Sequence, residues 1–146
     1  GPVLYAEDFV VAHGPTHRFG QRSALSLTDL QGEAYCQRSL CEYSLYIERV
    51  MAERGVDVKV VQQTPREDWV QTMVRAGVGV AFMAESTAVS GGLSFTHVPD
   101  ARFVREVRAM VLSDRPHSGA VGQLLAFLPG FDWSHIPCLK KPDSTG

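Results

Sequence analysis

Between Ser39 and Ala84 the chain alternates two kinds of hydrophobic pattern, and that alternation restricts the fold more than any other feature. Ser39 stands three residues before Glu42, the spacing of a reciprocal helix cap. Apolar residues then recur at Leu40, Tyr43, Ile47, Val50 and Met51, and Gly55 stops the helix. The β-branched run Val56–Val61 reads as a strand. Thr64, Pro65 and Glu67 repeat the start signal, Trp69, Val70, Met73 and Val74 give a second apolar face, and Gly77 ends it. The continuously apolar Val78–Ala84 follows as another strand. Helices and strands alternating through short links predict an α/β fold with a right-handed crossover onto a parallel sheet.

The flanks add elements of other kinds. Asp8–Gly14 predicts a buried strand ending in a turn, Ser26 and Asp29 a short helix stopped by Gly32, and Glu33–Gln37 a short strand. Ser90-Gly91-Gly92 reads as a turn and Leu93–Val98 as a strand. Val104–Asp114 reads as a strand with one exposed face; its part Val104–Met110 could serve as an edge or hinge strand open to pairing between protomers, and solvated charges on a sheet face are the commoner reading. Ser118 caps a last helix with Val121, Leu124, Leu125, Phe127 and Leu128 as apolar positions, and Pro129-Gly130 ends it. Gly1-Pro2 reads as a cleavage scar, and residues 129–146 as a docked or frayed tail.

Length and charge exclude some classes. At 146 residues there is enough chain for one core. No apolar run approaches the ~18 residues of a membrane span. A net charge of -2 argues against a broad nucleic-acid surface. Three cysteines, an odd number, fit a reducing, cytoplasmic setting better than a disulfide scaffold.

Three segments occur in an order that resembles the effector-binding domain of LysR-type transcriptional regulators. LYAEDFVVAHGPTHRFGQRSALSLTDLQGEAY is similar to the family's strand, histidine-containing loop and Ser-Leu-x-Asp-Leu-x-Gly-Glu segment. WVQTMVRAGVGVAFMAES resembles its helix-to-strand passage, and VREVRAMVLSDRPHSGAVGQLLAFL its returning strand and final helix. The resemblance covers residues 3–128. It implies a periplasmic-binding-protein-like (type 2) α/β fold, with mainly the second lobe, the crossover strands and the final helix in this chain. The DNA-binding helix-turn-helix and much of the first lobe would then lie outside it. It further implies a bacterial homodimer or homotetramer that reaches DNA only through that helix-turn-helix and answers a small-molecule or oxidant effector. The rival reading is a solute-binding protein of the same fold for a small anionic ligand.

Cys41 and Cys36 are the redox candidates. With Ser39 as N-cap, Cys41 is the second helical residue, among unpaired N–H groups at the positive end of the dipole. Arg38 adds a cation, while Glu42 opposes it. Such surroundings lower a thiol from about 8.5 to about 3.5–7.5 and favour reaction with peroxide. The peroxide-sensing, OxyR-like branch of the family has its reactive cysteine at the start of this helix, at or next to Cys41, but its resolving cysteine has no counterpart near Val50. The nearby partner is Cys36, about 17 Å away if the link is extended. A disulfide needs Cα atoms about 4.4–6.8 Å apart, so the link would have to fold back. The plainer alternative is that free cysteines are small buried hydrophobes.

Ligand capture is the second chemistry. In a two-lobed α/β fold the ligand lies at the carboxyl ends of the strands. Those ends nominate Arg38, Ser39, Gln63, Thr64, Met83 and Glu85. Ser39 and Thr64, each beginning a helix, would offer N–H groups to a carboxylate or other small anion, with Arg38 as counter-charge. His13, His17, His97, His117 and His135 are scattered and read as surface-loop residues, so neither metal nor cofactor is expected. AGVGVAF runs from helix to strand, the reverse of a dinucleotide-binding glycine loop. No nucleophile elbow or general base beside Cys41 nominates an enzyme.

Overall fold

The computed structural model describes residues 1–140, which divide into two units. Residues Lys141–Gly146, the end of the expected tail, lie outside the described residues.

The larger unit, Phe9–Phe103, is built on a sheet. Strand β1, Val3–His13, enters it at Phe9. There β1 pairs antiparallel with β4, Ala81–Ala84, and with β5, Ser94–Thr96. Strands β2, Ala34–Arg38, and β3, Lys59–Thr64, pair in parallel. A parallel bridge between Tyr35 and Val80 joins the two groups, with Cys36 N–H donating to Val80 O at 2.9 Å. The order across the sheet is therefore β3-β2-β4-β1-β5, and the parallel α/β expectation holds for the first three strands.

Alternation along the strands sends side chains to two separate cores. Phe9, Val11, Tyr35, Val80, Phe82 and Ala84 face one way and pack with Ile47 and Met51 of helix α1, Ser44–Glu53. Val10, Ala12, Cys36, Ala81 and Met83 face the other and pack with Val70 and Val74 of helix α2, Glu67–Arg75, and with Ala88 of helix α3, Glu85–Ser90. Each fully buried Leu, Val or Phe contributes about 1.5–3 kcal/mol relative to exposure.

All three helices stop by the same backbone device. Gly55, Gly77 and Gly92 have φ of 68°, 77° and 63°. The next residue's N–H reaches back five positions: Val56 to Met51 O, Val78 to Met73 O and Leu93 to Ala88 O, at 2.9, 3.0 and 3.0 Å. This is the Schellman arrangement, for which glycine has no Cβ penalty.

The helix starts differ from expectation. Helix α1 begins at Ser44, not at Ser39, and α2 at Glu67, not at Thr64. The parallel ladder is the cause: it runs on through Arg38 and Thr64, and Ser39 N–H still donates to Thr64 O at 3.0 Å. Likewise β3 spans Lys59–Thr64 rather than Val56–Val61, because Val56 is used by the helix stop. Helix α3 has no counterpart in the sequence reading. Trp69, expected in the core, is 52% exposed under the guanidinium of Arg66. The short helix at Ser26 forms as a 3-10 turn over Leu27–Leu30 with its capping box.

Residues 1–8 and 104–140 form the smaller unit. The first part of β1 pairs antiparallel with β6, Val104–Arg108, and Ala6 exchanges both backbone bonds with Lys140 on its other edge. The tail is thus docked as far as Lys140. Buried Glu7 is held by Arg105 through Nε at 2.8 Å and Nη2 at 2.7 Å. The strand expected over Val104–Asp114 ends at Arg108, and Met110 and Leu112 beyond it are exposed. Helix α4, Gly119–Phe127, is capped by Ser118, whose Oγ accepts from Val121 N–H. Its apolar residues Val121, Leu124 and Phe127 are exposed, so the expected core face of this helix is bare. Among the described residues no helix is long and apolar enough to cross a membrane.

Candidate functional site

Strands β2 and β3 end side by side because they are parallel, and the chain leaves the sheet there through two tight links. After Ser39, Leu40 takes φ 63°, a left-handed conformation that costs a branched side chain of order 1–2 kcal/mol. The turn lets Cys41 O accept from both the N–H and the Oγ of Ser44, at 3.2 and 3.0 Å. Helix α1 then starts above the strand ends without a side-chain cap.

The result is a crevice of about 490 Å³. Its floor is Gln37, Ser39 and Gln63 from the strand ends. Its walls are Leu40, Cys41 and Glu42 from the turn, and Ser44, Leu45 and Glu48 from α1. The Gln37 amide donates to Glu48 Oε1 and ties floor to wall. Leu40 and Leu45 are 87% and 80% exposed at the rim. Behind the crevice a recess of about 20 Å³, room for a single water-sized group, is lined by Tyr35, Cys41, Ile47, Met51 and Phe82. Burial pushes the Tyr35 hydroxyl up, against the bond it accepts from Phe82 N–H at 3.3 Å.

The nominated binding residues separate into two groups. Ser39 and Gln63 line the crevice, and Arg38 borders the recess behind it. The Arg38 guanidinium is engaged by Glu67, Nη1 to Oε2 at 2.7 Å. Thr64 is buried at the strand end, where its Oγ1 accepts from Arg66 N–H at 3.2 Å instead of capping a helix. Met83 is a core residue on the opposite face of the sheet. Glu85 begins α3 and bonds His97 Nε2 at 3.1 Å. Neither Met83 nor Glu85 lines the crevice. Gln37, Leu45 and Glu48 do; Gln37 lies within the strand end 36–39 but was not nominated, and Leu45 and Glu48 were missed. The signal was available for Gln37 alone, as a polar residue at the end of a predicted strand.

The redox candidates also part company. Cys36 is buried in the core against α2, and burial pushes its thiol up. Cys41 packs against the other core, beside α1. Burial also pushes the Cys41 thiol up, helped by Glu42, and outweighs the backbone bond near Tyr43 and the charge of Arg38. The expected depression of this thiol required a helix start at Ser39, and the helix begins three residues beyond Cys41.

The histidines are not all surface residues. His13 is buried, with Nδ1 bonded to Gly14 O and Nε2 to Thr96 Oγ1, each at 3.0 Å. His17 joins Glu33 at 3.2 Å. These contacts pin the loop after β1 to β5 and to the start of β2.

The family model for the LysR substrate binding domain matches residues 2–131. Among solved structures, the chain is similar to the regulatory domain of CcmR from Synechocystis PCC6803 in complex with 2-PG, at 18% identity and a TM-score of 0.71. The match covers 88% of this chain and 64% of that one. It is similar to the effector-binding domain of QuiR in complex with shikimate, at 16% identity and 0.75, over 91% of this chain and 65% of that one. The regulatory domain of MetR from N. meningitidis matches at 12% and 0.66, over 97% and 68%. These identities speak to the fold, which is of the periplasmic-binding-protein type. The chain spans just under two thirds of the first two structures. No curated protein sequence matches it significantly.

Proposed function

We propose, from the premise that this chain belongs to the LysR substrate-binding domain family, that it senses a small-molecule effector for a transcription regulator. The crevice between Ser39, Gln63 and Glu48 is then its share of the effector site. One observation carries this reading: a cavity of about 490 Å³ stands at the carboxyl edge of parallel strands, lined by polar groups from both strands and from a helix start. In CcmR and QuiR, domains of this fold hold 2-PG and shikimate.

The mechanism is a shift of populations. An effector that touches β2, β3 and α1 together favours the arrangement in which all three are correctly placed. In the whole protein that preference would reach a separate DNA-binding domain, with assembly into a cytoplasmic homodimer or homotetramer. The net charge of -2 fits DNA contact made elsewhere.

A bound molecule is favoured over Cys41 oxidation as the trigger. Burial pushes the Cys41 thiol up, away from the thiolate that oxidants attack, and Cys36 faces the other core. The test is a thermal-shift screen of soluble metabolites against the chain and its Ser39→Trp variant, whose indole would fill the crevice. The reading expects a compound that raises the melting temperature of the parent chain and not of the variant. It fails if every stabilising compound acts equally on both.

A further inference from the structure

Tyr35 stands behind the crevice with half of its hydrogen bonding undone. The residue is 8% exposed. A phenol has a proton to give as well as lone pairs to fill. Its oxygen accepts from Phe82 N–H at 3.3 Å. Among the described residues no acceptor takes its proton. Burial pushes the hydroxyl up, so it keeps that proton at neutral pH. A buried O–H that donates to nothing forfeits the bond it had in water.

The unused proton belongs to the recess. Tyr35 and Phe82, which meet at the hydroxyl, both line it. Cys41 and Glu48, whose charges act on the hydroxyl, line it as well. At about 20 Å³ the recess exceeds the space of about 10–15 Å³ that a water needs, and it takes one oxygen and no more. Gln37, Cys41, Ser44 and Glu48 border both recess and crevice, so the recess is the inner end of the crevice. An oxygen placed there accepts from Tyr35. The Glu48 carboxylate, tied to Gln37 at the same wall, is an acceptor for a proton in return. A water or an alcohol serves both neighbours, and a carbonyl serves Tyr35 alone.

We infer that the recess is a subsite for a single hydroxyl oxygen, held by a water in the free domain and by an alcohol group of the effector in the bound one. That oxygen accepts from Tyr35 and donates to Glu48. This inference rests on the crevice being the effector site and names a group that its ligand carries.

The experiment is a high-resolution crystal structure of the chain, alone and after soaking in 2-propanol or acetone. Alone, the expected result is a water in the recess about 2.8 Å from the Tyr35 oxygen. 2-Propanol is expected to place its oxygen at the same point, with its methyl groups toward the crevice. Acetone, which cannot donate, is expected to leave the water in place. In solution, ¹⁵N–¹H NMR follows the Phe82 amide as 2-propanol is added. The dissociation constant should rise about threefold to tenfold in Tyr35→Phe, the worth of one hydrogen bond. The crystal arms use the parent chain and stand even if that variant does not fold. A recess without an oxygen, or a Tyr35 hydroxyl that donates to a protein atom, would overturn the subsite. A water that survives the alcohol soak, or alcohol binding that is equal in Tyr35→Phe, would overturn the effector's part in it. Failure of the Ser39→Trp screen with a water found in the recess would strike the crevice reading and the effector's part, and leave the water site standing.

Discussion

Cys36 and Cys41 lie five residues apart in the chain and on opposite faces of the same sheet. Cys36 packs with Val70 and Val74 under α2, and Cys41 against the core that holds Ile47 and Met51 of α1. Joining them would require a strand end to pass from one face to the other. Mild peroxide is therefore expected to leave no Cys36–Cys41 disulfide, read by mass spectrometry of the digested chain. Iodoacetamide should label Cys41 slowly, with a midpoint above that of an ordinary thiol, and Cys36 only after denaturation. A rapid Cys41 reaction below neutral pH would contradict the upward push that burial gives this thiol.

Leu40 stores strain at the rim of the crevice. Its side chain is 87% exposed, so burial does not repay its φ of 63°. Leu40→Gly removes about 1–2 kcal/mol of strain and adds about 0.5–1 kcal/mol of chain entropy cost. The net expectation is a gain of about 0.5–1 kcal/mol in urea unfolding, an uncommon outcome for deleting a leucine. Loss of stability would mean that the leucine side chain has a packing role in solution.

Glu33 sets an acid limit on the larger unit. Burial raises its carboxyl, but bonds from Arg18 and His17 together outweigh burial and hold it below the usual glutamate range. A depressed carboxyl stabilises the fold above its unfolded value of about 4.3, and that stabilisation is lost as pH falls through the folded value. Urea midpoints measured between pH 7 and pH 3 should drop in that window. Glu33→Gln should be less stable at pH 7 and show a shallower drop. An unchanged slope in the variant would assign acid sensitivity to another group.

Two glycines should respond in opposite directions. A Cβ on Gly79 would lie 2.7 Å from Ala34 O and 3.1 Å from Cys36 Sγ. That oxygen already accepts from Val80 N–H at 2.8 Å and links β2 to β4. Gly79→Ala is expected to cost about 1–3 kcal/mol by overpacking. Gly122, inside exposed α4 with open space at its Cβ, should gain about 0.5–1 kcal/mol on replacement by alanine. Chemical denaturation of both variants checks the pair.

Helix ends were legible in the sequence where a purely local requirement fixed them. Gly55 and Gly77 mark the C-termini because a left-handed residue is needed there whatever packs nearby. Helix starts were misread at Ser39 and Thr64, since both residues sit where the parallel ladder outlasts the cap signal. Strand pairing is a long-range property that a capping pattern cannot report. The same limit hid the crevice: Ser39 and Gln63 were found from strand ends, but Glu48 and Leu45 come from α1, whose placement depends on the turn at Leu40. Met83 lies away from the crevice because strand alternation, not position along the strand, decides which core a side chain enters. His13 was read as a loop residue because nothing near it in sequence announces Thr96.

The repeated glycine stop has a consequence for how this domain can change over generations. Each helix length is set by its own terminal glycine and the backbone bond that follows. Substitutions on the helix faces therefore leave the start of the next segment in place. Residues around the crevice can drift toward a new ligand while the punctuation of the chain keeps every strand in phase. Loss of one such glycine would instead be felt downstream, as a frame error in the architecture rather than a local defect.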